Sequence, residues 1–191
     1  MTDHTIEMAD RLVDKAIMAY RKADYEKAKY YYEKATAMGN PKAACELGDI
    51  YSTGKAGLVD YEQAFYYFEV AALKDSANGV YRIGDAYFYG NFVKQNYQLA
   101  FGHYEKAAML LETLEDEATS AIYYRLALCY HNGLGTEQND LLALQMINLA
   151  STAMYYDRVN QRSKWRLLAN KVKNLQRAIV YDLDEKIEEE F

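Results

Sequence analysis

The chain has 191 residues, of which 51% are hydrophobic and 14% are aromatic, so it is long enough to bury a core as a single domain. Its 22 lysines and arginines stand against 28 aspartates and glutamates, and the net charge of −6 argues against nonspecific binding to nucleic acid or anionic lipid. No signal-peptide pattern opens the chain, and no apolar run is long enough to cross a bilayer. We therefore expect a cytoplasmic protein with a protein partner, no nucleic-acid partner and no membrane partner.

The first predicted helical hairpin covers residues 10–40, and its second helix contains a motif that recurs along the chain. The motif occupies residues 28–35, begins and ends with alanine, and returns at 36-residue steps at 64–71 and 100–107, with a fourth copy at 143–150. Alanines on either side of a large residue predict a helical face that packs closely against its neighbours. Self-similarity at this period predicts a tandem array of helical hairpins.

Three further hairpins are predicted over residues 41–76, 77–120 and 121–157. Each of their first helices ends at a glycine, which favours the left-handed backbone that stops a helix. Each second helix, including that of the first hairpin, begins at a side chain that can cap the exposed backbone N–H groups. The glycines are Gly54, Gly90 and Gly133, and the capping residues are Asp24, Asp60, Asn96 and Asn139.

These motifs resemble those of the Sel-one-like repeat (SLR) family, a relative of the tetratricopeptide repeat (TPR), over residues 41–156. The shorter turn of residues 10–40 resembles that of a plain tetratricopeptide repeat. The resemblance implies an all-α fold, a right-handed α-solenoid of about four hairpins forming one domain over residues 1–191. It also implies a non-enzymatic adaptor, chaperone or regulator that binds a protein or peptide, and a neutraliser of a toxin or effector is a sharper form of that hypothesis.

Seven additional residues lie within residues 109–120, in the third hairpin. This segment contains no helix breaker, so we expect it to lengthen the second helix of that hairpin by about two turns. Its acidic residues suggest either a solvated protrusion, which we favour, or a surface that contacts a basic partner. These residues are Glu112, Glu115, Asp116 and Glu117.

Residues 158–191 are predicted to form one long amphipathic helix. Its first part is basic and includes Arg158, Arg162 and Lys164. A solenoid needs a terminal element that covers its last apolar face, so a capping helix is the favoured interpretation. A membrane-surface helix or a dimerising coiled coil are the alternatives, which leaves a monomer or a homodimer. The apolar positions are Trp165, Leu168, Val172, Leu175, Ile179, Leu183 and Ile187.

The resemblance places the partner-binding surface on the concave face, which first helices line in solenoids of this type. Its N-terminal end is cationic, and its middle and C-terminal parts are rich in aromatic side chains, which contribute much of the binding energy in protein interfaces. Some of these aromatic side chains must instead pack against the next repeat. The predicted binding residues are Lys22, Lys42, Asp49, Tyr81, Asp85, Phe88, Tyr89, Tyr124, Leu128, His131 and Asn132.

Few residues occur in a pattern that is typical of a catalytic, metal or cofactor site. Ser52 and Lys55 match the serine-x-x-lysine pattern of penicillin-recognising enzymes, so a weak β-lactam-binding hydrolase is an alternative function. A second alternative function is that of a structural homo-oligomer assembled through the C-terminal helix. The three histidines and the distant pair Cys45 and Cys129 lack metal-ligand spacing, and no phosphate loop or dinucleotide motif is present. We therefore predict no catalytic residues, no metal and no cofactor.

Overall fold

The structure is a computed structural model that describes residues 3–114, 116–160 and 165–189. The described residues form α-helices connected by short loops, without a strand, and none of these helices is both long and apolar enough to span a membrane. The chain divides into two compact units. The first is Met1–Lys94, with α1 to α5, and the second is Gln95–Phe191, with α6 to α9. The helices are α1 (Asp3–Arg21), α2 (Tyr25–Ala37), α3 (Pro41–Thr53), α4 (Tyr61–Ala72), α5 (Ala77–Tyr89), α6 (Tyr97–Met109), α7 (Thr119–Asn132), α8 (Asp140–Val159) and α9 (Trp165–Glu189).

The predicted helix boundaries are confirmed by the cap geometry. At the start of α2, α4, α6 and α8 the predicted aspartate or asparagine side chain accepts a hydrogen bond from the backbone N–H three residues on, at 2.9 to 3.3 Å. The helices α3, α5 and α7 end at the predicted glycines, whose φ angles of 64°, 73° and 64° are left-handed. In the second to fourth hairpins, the turn between the two helices is therefore bounded on both sides by residues that the sequence identifies.

In the first unit, consecutive helices from α1 to α5 pack on one another, as a solenoid requires. The motif alanines Ala28, Ala35 and Ala71 are fully buried, and the central Tyr32 is buried with them. Small residues at these positions let the helix backbones come close. Gly48 illustrates this, because a Cβ atom built there would lie 2.4 Å from a ring carbon of Phe68 on α4.

In the second unit, α6 packs on α7, α7 on α8, and α9 on both α7 and α8. The buried faces of α7 and α8 meet Val172, Leu175 and Ile179 of α9, so the predicted capping helix is confirmed. Helix α8 continues to Val159, so Arg158 belongs to α8 and not to the terminal helix. Arg162, Lys164 and the side chain of Ile187 lie outside the described residues.

The prediction that the insertion lengthens α6 is wrong. Helix α6 ends at Met109, and residues 111–114 and 116–118 belong to an irregular loop before α7. The Asp116 carboxylate organises the loop by accepting hydrogen bonds from the backbone N–H groups of Glu112 at 2.7 Å and Thr113 at 3.2 Å. An aspartate that binds nearby backbone N–H groups favours a turn over a continuous helix. Glu115 lies outside the described residues.

Two glycines allow a matched test of the close packing. A Cβ atom at Gly79 would lie 2.8 Å from the backbone nitrogen of Ala72, whereas one at Gly102 would meet nothing within 4 Å. We expect Gly79→Ala to lower the free energy of unfolding by about 1–3 kcal/mol, because α4 and α5 would have to move apart. Gly102→Ala should raise it by about 0.5–1 kcal/mol through helix propensity alone. Urea denaturation followed by circular dichroism measures both, and equal effects would contradict the packing argument.

Candidate partner-binding surface

An ion-pair group joins α3 and α5 in the first unit. The guanidinium of Arg82 on α5 lies 2.7 Å from Asp49 on α3 (Nη2 to Oδ2) and 4.0 Å from Asp85 (Nη1 to Oδ2). Burial by itself lowers the pKa of Arg82, but the neighbouring carboxylates outweigh it and hold the pKa above its usual value. Two residues predicted to bind a partner, Asp49 and Asp85, are thereby brought to one place. Arg82, which sequence reasoning missed, holds them there.

A cavity of about 200 Å³ opens beside this group, between α3, α4 and α5. Its wall combines aromatic rings from α4 and α5 with polar groups from α3, α5 and the loop after α5. Such a mixture of apolar surface and a few polar groups is typical of a site that accepts a side chain or small ligand. The lining residues include Ser52, Tyr61, Phe65, Asp85, Tyr89 and Asn91.

The other predicted binding residues of the first unit differ in their solvent exposure. Tyr89 is 51% exposed and packs edge-on against the half-buried Phe88, with 5.1 Å between the ring centres. Tyr81 is only 7% exposed, and its ring lies 5.3 Å from the Arg82 guanidinium carbon. We therefore expect Tyr81 to support Arg82 more than to contact a partner. Lys22 and Lys42 are exposed, at the end of α1 and at the start of α3.

The predicted residues of the second unit lie on α7, and several of them pack inside the unit. Tyr124 and Leu128 pack against the cluster that α7, α8 and α9 share. Asn132 is exposed, and its amide donates to the carbonyl oxygen of Leu128 at 3.0 Å. His131 lies in a group of charged residues that involves all three helices. Much of this predicted surface therefore serves the attachment of α9.

That charged group is centred on Asp140, whose side chain is 1% exposed. One oxygen of Asp140 lies 2.7 Å from Nδ1 of His131, and the other accepts from Nζ of Lys186 at 2.5 Å. The second ring nitrogen of His131 lies 3.8 Å from Asp182. Burial raises the pKa of Asp140, but the hydrogen bonds from Lys186 and His131 outweigh it, so the pKa falls below its ordinary value. The group ties α9 to α7 and α8.

The same residues provide the candidate metal ligands in the described part of the chain, which the sequence argument did not predict. His131, Asp140 and Asp182 each offer one ligand atom within 4.8 Å of the others. However, the ammonium of Lys186 already binds Asp140, and the two nitrogens of the imidazole face different carboxylates. An ion-pair group that fastens a helix explains this arrangement without a metal.

The serine-x-x-lysine pair does not form a linked dyad in this structure. The Ser52 hydroxyl donates to the backbone carbonyl of Asp49 at 3.1 Å. The Lys55 ammonium donates to the Tyr20 hydroxyl and lies over the Tyr20 ring. Each side chain therefore has a structural role that the repeat itself explains.

The consecutive packing of the helical hairpins defines an α-helical repeat protein. The Sel1 repeat model matches residues 19–40, 41–76, 77–110 and 121–155, which is more than half of the chain, and the protein belongs to the Sel1 repeat family. Proteins of this family are generally protein-interaction modules. Residues 111–120, which contain most of the loop before α7, fall between two matched repeats.

Solved structures with the same fold include two bacterial proteins. A protective antigen present in uropathogenic Escherichia coli strains, which displays an SLR fold, is 28% identical with a TM-score of 0.60 over 73% of this chain. A Sel1 repeat protein from Oxalobacter formigenes is 21% identical with a TM-score of 0.65 over 82% of this chain. The matched regions span 30% and 64% of those two proteins. No curated protein matches the chain at a significant level.

The charged group at Asp140 predicts a pH-dependent contribution to stability. We expect Asp140→Asn to lower the free energy of unfolding at neutral pH by about 1–2 kcal/mol, because Lys186 and His131 lose a charged acceptor. Since the folded-state pKa is lowered, this stabilisation is complete above the carboxyl pKa of the unfolded chain, about 4. It is lost as the pH falls through the lower folded-state pKa. The difference between the two proteins should therefore shrink in acid.

Urea denaturation at several pH values measures this difference. Asp184→Asn is the matched control, because Asp184 is an exposed carboxylate on α9, the helix that carries Lys186. The control should unfold like the unmodified chain at every pH. A destabilisation by Asp140→Asn that persists undiminished well below pH 4 would contradict the ion-pair interpretation.

Proposed function

We propose that the protein is an adaptor, chaperone or regulator that binds a segment of a partner protein on the surface formed by α3, α4 and α5. The cavity between these helices is the observation that carries the proposal. Three of its lining residues, Ser52, Asp85 and Tyr89, come from the first helices of their repeats, where solenoids of this type bind their partners.

The chemistry of this surface supports a protein ligand. Tyr89 and the half-buried Phe88 provide aromatic contact area. Their side chains lose little conformational freedom on binding. The carboxylates of Asp49 and Asp85 and the guanidinium of Arg82 provide charges that are already held in position by α3 and α5. Preorganised groups lower the entropic cost of association. This surface would thus give a partner segment both an apolar contact and polar groups that are already held in position.

The finer statements belong to the same proposal. We place the protein in the cytoplasm as a single α-solenoid domain, a monomer or homodimer, without a nucleic-acid ligand, and a toxin- or effector-neutralising role is its most specific form. Tyr81, Tyr124, Leu128, His131 and the exposed Asn132, Lys22 and Lys42 remain proposed contributors. Among them, the half-buried residues of α7 would act mainly by holding α9, as their contacts with the shared cluster suggest.

A binding experiment tests the proposal. A random peptide library is selected against the full chain, and the affinity of an enriched peptide is measured by fluorescence anisotropy. We expect the double variant Phe88→Ala, Tyr89→Ala to weaken that peptide by at least about tenfold, because the aromatic contact area is lost. Tyr66→Ala is the matched control, since Tyr66 is a 55% exposed aromatic residue on α4 that does not line the cavity.

The control variant should bind within about twofold of the unmodified chain, which is the usual effect of a side chain outside an interface. Thermal melts monitored by circular dichroism establish that both variants fold. Binding that survives in the double variant, or that is lost only in the Tyr66 variant, would place the interface elsewhere on the molecule.

A further inference from the structure

We infer that the cavity between α3, α4 and α5 receives the side chain of a lysine from the partner protein. This inference rests on the proposed function and names the chemistry of the segment that binds there. Its basis is a comparison of two successive repeats within the chain, in which one repeat already holds a lysine at the equivalent place.

That lysine is Lys55 of the second hairpin, which directly follows the helix-ending Gly54 and contacts the first hairpin. Its ammonium lies 4.5 Å from the centre of the Tyr20 ring and 5.6 Å from that of Tyr25, and it donates to the Tyr20 hydroxyl. An ammonium over aromatic faces is attracted by the negative charge density of the rings. The junction between the first two repeats is therefore closed by a cation that the chain itself supplies.

The next junction, between the second and third hairpins, retains a counterpart of Tyr25 but not the lysine. Tyr61 stands 36 positions after Tyr25 and, like it, is the first residue of a second helix. Asn91 stands 36 positions after Lys55 and directly follows the helix-ending Gly90. Both Tyr61 and Asn91 line the cavity. Asparagine is shorter than lysine and uncharged, so the space that a lysine would occupy remains as the cavity.

The charges around the cavity favour a cation over an anion. Two carboxylates, Asp49 and Asp85, accompany the single guanidinium of Arg82, so the group carries a net negative charge. Arg82 and Asp85 both line the cavity, and the guanidinium of Arg82 lies closer to Asp49, at 2.7 Å, than to Asp85, at 4.0 Å. A carboxylate entering from a partner would meet Asp85, whereas an ammonium would be attracted to it. The chain's net charge of −6 also favours approach by a basic segment.

The aromatic lining supports the same ligand. Tyr61 and Tyr89 are exposed, whereas Phe65 is half-buried and its ring centre lies 5.6 Å from that of Phe92 in the loop after α5. A lysine side chain presents a flexible apolar stem and a charged end. The stem can pack against these rings while the ammonium reaches Asp85. A leucine or norleucine side chain would gain the apolar contact but would cover the carboxylate without neutralising it.

The test uses the peptide selected for the binding experiment above and a copy in which its lysine is replaced by norleucine. Affinities of both peptides are measured by fluorescence anisotropy for the unmodified chain, Asp85→Asn and Asn91→Lys. We expect lysine to bind about tenfold more tightly than norleucine to the unmodified chain. That preference should shrink to about twofold in Asp85→Asn, because the variant removes the charge that recognises the ammonium. Asn91→Lys should weaken the lysine peptide about tenfold by filling the cavity from within.

Matched controls carry the same chemical changes outside the cavity. Glu69→Gln removes an exposed carboxylate on α4, and Gln63→Lys adds a lysine at an exposed position on the same helix. Both controls should retain the tenfold preference for lysine. If Asp85→Asn alone unfolds in circular dichroism, Asn91→Lys still tests the inference, since its side chain lies at the cavity rim.

The outcomes separate the inference from the proposed function. The inference is overturned if the enriched peptides contain no lysine, or if the lysine and norleucine peptides bind with equal affinity. In either case, the proposed function stands if the double variant Phe88→Ala, Tyr89→Ala still weakens binding. A preference for lysine that persists unchanged in both cavity variants also overturns it. If no peptide is enriched by the chain, the proposed function fails and the inference fails with it.

Discussion

The close approach of neighbouring helices through alanine and glycine underlies the rest of this structure. The alanines that begin and end each second-helix motif are buried in every repeat, and a Cβ atom at Gly48 or Gly79 would strike the adjacent helix. Contacts this close set the distance between successive repeats, because packed helices cannot slide without clashes. The side chains that reach across a repeat junction, such as Arg82 and Lys55, are therefore held at defined separations from their partners.

The same regularity explains how a difference between two repeats can leave a cavity. Lys55 and Asn91 occupy equivalent positions, and Tyr25, one of the two tyrosines that contact Lys55, has a counterpart in Tyr61. Where the repeat carries lysine, the junction is closed by a contact within the chain. Where it carries asparagine, a cavity remains beside Asp85 and Tyr89. In a repeat protein, function arises where one copy departs from the others, because the shared positions are needed for stacking.

At the end of the second unit, the last apolar face of the repeat array is covered by α9. Helix α9 places Val172, Leu175 and Ile179 against α7 and α8, as its amphipathic pattern predicts. Apolar burial is not directional, so it does not by itself determine the register of a long helix. The pairing of Lys186 and Asp182 with Asp140 and His131 supplies directional contacts near the C-terminal end of α9. One group of charged residues thus complements the apolar contact.

The sequence by itself determined the capped helix starts and glycine ends, the tandem repeat, the buried alanine face and the family, because caps, helix-ending glycines and periodicity act within a few residues. It also singled out Asp49, Asp85 and Tyr89, which the structure brings close to one another on α3 and α5. The Asp116 turn is also local, since its hydrogen bonds reach three and four residues back, and the sequence argument missed it. Only the tertiary structure decided that Arg82 joins Asp49 to Asp85 and that Asp140 binds Lys186 from 46 residues away. The physical reason is that ion pairs and cavities depend on how helices rotate against one another, and a one-dimensional pattern does not contain that rotation.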